Sequence, residues 1–333
     1  MTTFPKVLIV AGGLTHERDV SVRSGRRVST ALQQMGHHTY ICELGSDLLD
    51  TIESFAPDVV WPLVHGSIGE DGSLQALLES INIPFVGTGS LQAMFASNKP
   101  TAKGLLASTG MATPGWLSFP QLFFRQLGAT QVLSALEGDM VFPVVIKPTE
   151  GGSALGTSRA ENSDELRAAM VDAFAYGERV MIEQFVSGHE VAVSIVDLGE
   201  GPVALPPVEI VTDTGAYDYD ARYTTDTTQY FVPARLDDEV INDVQLTALE
   251  VHRILGLRDL SRIDFVVDDE GTCWFIDANV TPGMTDTSLF PQAADAAGSF
   301  ASVCSEIASF VAAGRPQDQD RLSEDNDSSI FEV

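Results

Sequence analysis

The chain is poor in cysteine and in positive charge, and it has no long apolar run. Its 333 residues include three cysteines, Cys42, Cys273 and Cys304, far apart and without CxxC spacing. That excludes a disulfide framework or a zinc ribbon and points to reduced thiols in the cytosol. Lys and Arg total 19 against 47 Asp and Glu, a net charge of −28. So acidic a chain has too little positive charge to neutralise a phosphate backbone, and no nucleic-acid partner is expected. A local cluster of lysine, arginine and backbone N–H groups can still hold a small anion. No apolar run approaches the roughly 18 residues of a membrane span, and MTTFPKVLIVAGG at the start lacks a signal-length apolar region and a small-residue cleavage site, so neither membrane insertion nor secretion is expected. GxxxxGK[ST] and GxGxxG are both absent, which removes two common phosphate loops, and no internal repeat is visible.

What is present is enough apolar residue, 44%, for two or three packed lobes. Residues 6–11 (KVLIVA) read as a buried strand, followed by Gly12–Gly13 and a helix with Val28, Ala31, Leu32 and Met35 on one face, stopping at Gly36. Strands at 58–64 and 82–86, with a helix near 73–80 between them, continue the alternation and predict an N-terminal Rossmann-like α/β lobe over 1–96. A helix near 99–109, strands at 142–147 and 179–186 and a helix near 163–175 predict a central lobe over 97–186. Strands from 189, a polar loop at 212–230, a helix at 238–255, a hairpin around Asp268–Gly271 and a last helix at 292–313 predict a third lobe over 187–313. The acidic tail, 314–333, reads as disordered and solubilising.

Three segments carry chemistry. In KPTEGGSALGTS (147–158) a strand ends in Lys147 and enters a loop with Gly151, Gly152, Ser153 and Gly156, whose unshielded N–H groups can wrap polyphosphate; a generic surface turn reads the same way. In SRIDFVV and WFIDANVTPGMTDTSLF, Asp264, Asp277 and Asn279 place three hard oxygen ligands on two paired strands, suited to Mg²⁺ on nucleotide phosphates, although an acidic hairpin edge in solvent fits too. Arg262 and the backbone N–H groups of Gly283 and Met284 offer donors for an oxyanion. In GGLTHERDVSVRSG and VHGSIGEDGSLQ, Glu17 stands before a helix, as a cap or as the acceptor of a substrate ammonium, and His65 ends a strand, where a structural histidine is the commoner case.

In this order and spacing these blocks, with IPFVGTG, MIEQFVSGHE and YDYDARYTTDTTQY, resemble the D-alanine:D-alanine ligase family over about residues 6–310. The resemblance implies a three-lobed ATP-grasp fold with ATP between the second and third lobes and two Mg²⁺ ions on its phosphates, with Mn²⁺ as a substitute. It implies nucleotide contacts from Lys99, Lys147, Gly151, Gly152, Ser153, Glu183, Val186, Glu190 and Arg222, and metal ligation by Asp264, Asp277 and Asn279. It also implies a hydrogen-bonded triad of Glu17, Ser153 and Tyr223 at the first amino acid, near His65. It implies oxyanion stabilisation by Arg262 and Gly283, and a pocket for the second substrate's carboxylate at Ser288 and Leu289. The implied activity is formation of D-alanyl-D-alanine for peptidoglycan through a D-alanyl phosphate, by a cytoplasmic homodimer whose loops 149–156 and 212–230 close over the site. A ligase for other small amino acids is the alternative, and a non-catalytic nucleotide-binding homologue a third reading. Departures from the family pattern are Asp277 for glutamate, Ala154 for the second serine of the loop, Val280 for threonine or serine and Arg222 for lysine, whereas Tyr223 accompanies an amine nucleophile.

Overall fold

A computed structural model describes residues 4–137, 140–212 and 228–315. The first sheet is three-stranded and parallel, in the order β2 (His38–Glu43), β1 (Lys6–Ala11), β3 (Val59–Pro62). Helices α1 (Arg18–Gln34), α2 (Leu48–Phe55), α3 (Ser67–Glu70) and α4 (Ser73–Ser80) cover it. β1 is buried on both faces, which explains its unbroken apolar run. The strand expected at 82–86 is reduced to one parallel bridge between Val60 and Phe85, because Gly87 turns the chain away at a φ of +107°.

Two further helices, α5 (Ser90–Ser97) and α6 (Lys99–Ser108), lead into the second sheet. It is antiparallel, in the order β4 (Trp116–Pro120), β7 (Arg179–Gln184), β5 (Val144–Pro148), β6 (Ser158–Ala160), with α7 (Gln121–Leu127), α8 (Ala129–Glu137) and α9 (Ser163–Ala173). Neither α5, β4, α7 nor α8 was read from the sequence.

The third sheet is built on β8 (His189–Asp197), flanked by β10 (Val208–Thr212) and β12 (Leu260–Val267), with β9 (Pro202–Ala204) pairing β8, β11 (Thr228–Phe231) beyond β10 and β13 (Cys273–Asn279) beyond β12. Pro206 and Pro207 separate β9 from β10 where one strand was expected, since proline cannot donate to a ladder. Helix α10 (Asp238–Ile254) packs on one face of this sheet. The single last helix expected at 292–313 is two, α11 (Leu289–Ala297) and α12 (Phe300–Ala312), broken at Gly298. Asp295 accepts from Phe300 N, and Ser299 caps the new helix at Ser302 N. Both helices lie in one core shared by Val7, Ile9 and Trp61 of the first sheet and Ala192, Val208 and Leu260 of the third.

Strand β13 contains a bulge. Phe275 pairs with Phe265 and Asp277 with Asp264, so Ile276 is the extra residue. Phe275 and Ala278 face the core under α10, and the bulge shifts the alternation by one residue, which puts Asp277 and Asn279 on the opposite face with Asp264. Arg222, Tyr223 and nearly all of the expected loop 212–230 lie outside the described residues, as does the tail from 316 onward.

Candidate active site

Glu17 occupies the N-cap of α1, yet its side chain makes no capping bond. The carboxylate instead accepts from Ser153 Oγ at 2.5 Å and, more distantly, from Gly152 N at 3.4 Å. Gly66 is needed here: a Cβ built on it would stand 2.7 Å from Glu17 Oε2. The loop that brings Ser153 in holds Ser153 and Ala154 in consecutive left-handed conformations, φ +53° and +55°, each costing about 1 kcal/mol or more.

His65 is buried beside this pair. Its Nε2 hydrogen-bonds Ser24 Oγ at 2.9 Å, and Ser24 Oγ also accepts from Met284 N at 3.1 Å, so α1 ties the histidine to the 283–284 turn. Burial pulls the imidazole down to about 4, opposed by its bond to the Thr281 backbone, and Arg262 lowers it further. His65 is therefore neutral at pH 7. Glu70, which the sequence reading passed over, lies 3.9 Å from His65. Burial first, and the Glu17 carboxylate second, push its carboxyl well above the ordinary range.

Arg262 is buried on β12 and grips Asp264 with two bonds, Nε to Oδ1 at 2.7 Å and Nη2 to Oδ2 at 2.8 Å. This fixes the plane of its guanidinium. Asn279, opposite Arg262 in the ladder, donates Nδ2 to Asp264 Oδ2 at 3.1 Å. Gly283 and Ser288 complete the wall: Ser288 Oγ accepts from Thr285 N at 2.9 Å and sits where a Cβ on Gly283 would collide. Ser288 is the N-cap of α11 but makes no side-chain cap bond, and Leu289 sends its side chain into the shared core. Glu17, His65, Ser153, Arg262, Gly283 and Ser288 line a single cavity together with Asn279 and Leu289.

Next to this cavity lies a floor of lysines. Lys99, the first residue of α6, donates Nζ to Gly151 O at 2.8 Å and stands 3.4 Å from Asp277. Lys147 on β5 pairs with Glu183 Oε2 at 2.6 Å, and the two are diagonal neighbours across β5 and β7. The other oxygen of Glu183 is held at 2.5 Å by Lys103. Burial raises the Glu183 carboxyl, but the two lysines outweigh it and hold it below the usual carboxylate range. Burial pulls Lys103 down to about 8 although Glu183 opposes it. Val186 follows β7 half-buried, and Glu190 lies half-buried on β8 opposite Val266 and Ile210. Lys103 was legible as a second lysine four residues after Lys99 on the same helix, hence on the same face. Glu70 stood in plain view inside HGSIGEDGSLQ.

The arrangement brings together a carboxylate held by a serine, a rigid guanidinium and a lysine floor, with two carboxylates and an amide at the boundary. Residues 105–308 match a family model described as D-ala D-ala ligase C-terminus, and residues 45–88 match one described as D-ala D-ala ligase N-terminus. A D-alanine--D-alanine ligase of Magnetococcus marinus is 37% identical over 294 residues, 88% of this chain and 93% of that protein. One from Aquifex aeolicus is 35% identical over 299 residues, 88% and 96% of the two chains. Among solved structures, the D-alanine--D-alanine ligase from Bacillus anthracis superposes with a TM-score of 0.78 at 28% identity, covering 96% of this chain and 99% of that one. The same enzyme complexed with ATP gives 0.77 at 27% identity, covering 97% and 100%. The chain thus belongs to the D-alanine–D-alanine ligase family, and its fold is that family's ATP-grasp fold.

Proposed function

We propose that this protein is an ATP-dependent ligase that condenses two D-alanine molecules into D-alanyl-D-alanine. The observation that carries the reading is the single cavity where Glu17, Ser153, Arg262, Gly283 and Ser288 meet beside the lysine floor, drawn from widely separated parts of the chain. The division into lobes 1–96, 97–186 and 187–313 is part of this reading, supported by one sheet in each segment.

In the first step a carboxylate oxygen of one D-alanine attacks the γ-phosphorus of ATP, and ADP leaves. Glu17 receives that substrate's ammonium group, and Ser153 fixes the carboxylate's orientation. His65 beside it is neutral and sets no positive charge against that ammonium group. Lys99 and Lys147 offset the charge of the transferring phosphoryl group. Glu183, Val186 and Glu190 then hold the adenine and ribose. In the second step the amine of the other D-alanine attacks the acyl carbonyl, and inorganic phosphate leaves. Arg262 and the Gly283 N–H stabilise the oxyanion, and Arg262 is already immobilised by Asp264, so it reorganises little as charge develops. Ser288 and the N-terminus of α11 at Leu289 receive the second carboxylate. Tyr223 and Arg222 are assigned from the sequence as the third member of the Glu17–Ser153 triad and a phosphate contact.

The donor set at the β12–β13 hairpin fits Mg²⁺. Two carboxylates and an amide, all hard donors, lie on one face, with Asp264 and Asp277 directly opposite in the ladder. When bound there, the ion supplies charge neutralisation on the phosphates. Before it binds, the Arg262 fork, the Asn279 amide and Lys99 satisfy those carboxylates. We place the protein in the cytoplasm as a homodimer. Three free thiols support the first assignment, and exposed Ile81, Leu91, Met94 and Phe95 around α4 and α5 support the second. Among the described residues no helix is long and apolar enough to cross a membrane.

The test is ADP release with ATP and Mg²⁺ across D- and L-alanine, D- and L-serine, glycine and D-lactate, with the product mass determined. ADP with D-alanyl-D-alanine from D-alanine alone is the expected result. Turnover only with another pair would keep the mechanism and reassign the substrates. ATP binding without turnover on any of them would sink the catalytic reading.

A further inference from the structure

Lys103 is fully buried, and the nucleotide site as assigned above gives it no task. Its ammonium group meets three oxygens: Thr113 Oγ1 at 2.9 Å, the Phe275 carbonyl at 2.9 Å and Glu183 Oε1 at 2.5 Å. Thr113 and Phe275 accept hydrogen bonds from it, and Glu183 lies against it as an ion pair. They also come from different places, since Thr113 precedes β4, Phe275 belongs to β13 of the third sheet and Glu183 to β7 of the second. Phe275 N donates to Ala112 O at 2.9 Å, so the chain before β4 is strapped to β13 at the same point, two residues before Asp277.

Glu183 therefore has two cations of different character. Lys103 is locked on all sides. Lys147 pairs with the other carboxylate oxygen and stands at the end of β5, where the phosphate loop begins. Together, one carboxylate and two ammonium groups leave one excess positive charge beneath the loop. We propose that Lys103 is a positioning residue, the resident counter-ion of Glu183, and that by neutralising this carboxylate it frees Lys147 to exchange Glu183 for a phosphate of ATP. Without Lys103, Glu183 and Lys147 form a closed neutral pair. A phosphate could then recruit Lys147 only by stranding a buried carboxylate, which is strongly unfavourable.

This inference rests on the assignment of ATP to the cleft between the second and third sheets, and a double-mutant cycle on ATP affinity separates the two. ATP binding in the presence of Mg²⁺ and without amino acid is measured by titration calorimetry for the wild type, Lys103→Met, Glu183→Gln and the double variant. Lys103→Met is expected to weaken ATP binding at least about tenfold in the wild-type background. In the Glu183→Gln background, where no carboxylate needs neutralising, the same change is expected to alter affinity by less than about threefold. Should Lys103→Met alone fail to fold, Glu183→Gln and the double variant still give the deciding comparison: equal affinities support the role, and a tenfold gap overturns it. Equal losses in both backgrounds, or no loss in either, would reduce Lys103 to packing. A wild type that does not bind ATP at all would remove the nucleotide site itself, whereas one that binds ATP but makes no D-alanyl-D-alanine would count only against the proposed activity.

Discussion

Arg262 is the residue on which the proposed second step rests most. Two bonds to Asp264 set its plane in advance, so Arg262→Ala is expected to lower turnover about a hundredfold or more, the scale of losing one oxyanion donor, while ATP binding persists. Near-normal turnover with D-alanine would remove it from the chemistry. A second residue-scale effect concerns protons. His252 is buried between α10 and β12, with Nδ1 bonded to Ser261 Oγ at 2.8 Å. Burial pulls it from 6.5 to about 4, although Asp197 raises it, and Arg253 lowers it further. Between those values the unfolded ring takes a proton that the folded ring refuses. The unfolded state then binds more protons, and stability falls as pH drops from about 6.5 toward 4, by up to about 3 kcal/mol for this one group. Urea midpoints at pH 7.5 and 5.0 should therefore diverge more for the wild type than for His252→Gln. An equal difference in both proteins would mean that the histidine already titrates normally in the fold.

At the scale of elements, α6 brings two of the floor lysines to the site, and its start is set by one side chain. Asn98 accepts from Thr101 N at 3.1 Å as the N-cap, while its amide donates to Glu150 at the phosphate loop. Asn98→Ala should cost about 1 kcal/mol, and in a chain this long a Tm lower by about 2–4 °C. The ATP KM should rise too, because Lys99 is the next residue; an unchanged KM would detach the cap from the site. What could be read in advance follows the same logic of local determination. Strand β1, helix α1 and the hairpin around Asp268–Gly271 were legible because apolar period, Gly stops and turn chemistry sit within the segment. The break at Gly298 and the loss of a strand at 82–86 turn on single residues, Gly298 with its Ser299 cap and Gly87 with its positive φ, which an apolar period does not reveal. Glu17 shows the same limit. From sequence it reads equally as a cap or an ammonium acceptor, and only the distant Ser153, 136 residues along the chain, decides that its carboxylate faces the cavity. Lys103 and Glu70 each carried a local hint, beside Lys99 on one helix face and beside His65, but their burial depends on partners far along the chain, Phe275 and Glu183 for the lysine and Glu17 for the carboxyl.

For the whole molecule, the wall of the cavity depends on how the first sheet docks on the third. The shared core under α11 and α12 supplies the apolar part of that contact, and one buried ion pair fixes it at the edge. Asp259, on a left-handed backbone with φ +62°, accepts from Gly87 N at 2.7 Å and takes two bonds from Arg315, at 2.9 and 2.5 Å. Arg315 also donates to the Phe85 carbonyl at 2.6 Å. The last described residue thereby clamps the 85–87 loop of the first sheet to the start of β12, three residues before Arg262. Arg315→Ala would leave a buried carboxylate without its cation, at about 3–5 kcal/mol and a Tm lower by roughly ten degrees. Removing everything after Pro316 takes away the acidic tail and spares the clamp, so that truncation should keep both Tm and turnover close to the wild type. Thermal melts and D-alanine-dependent ADP release on the two proteins test the division. A truncated chain as unstable as Arg315→Ala would mean that the tail holds the arginine in place, and a stable Arg315→Ala would mean that the apolar core alone sets the docking of the two sheets.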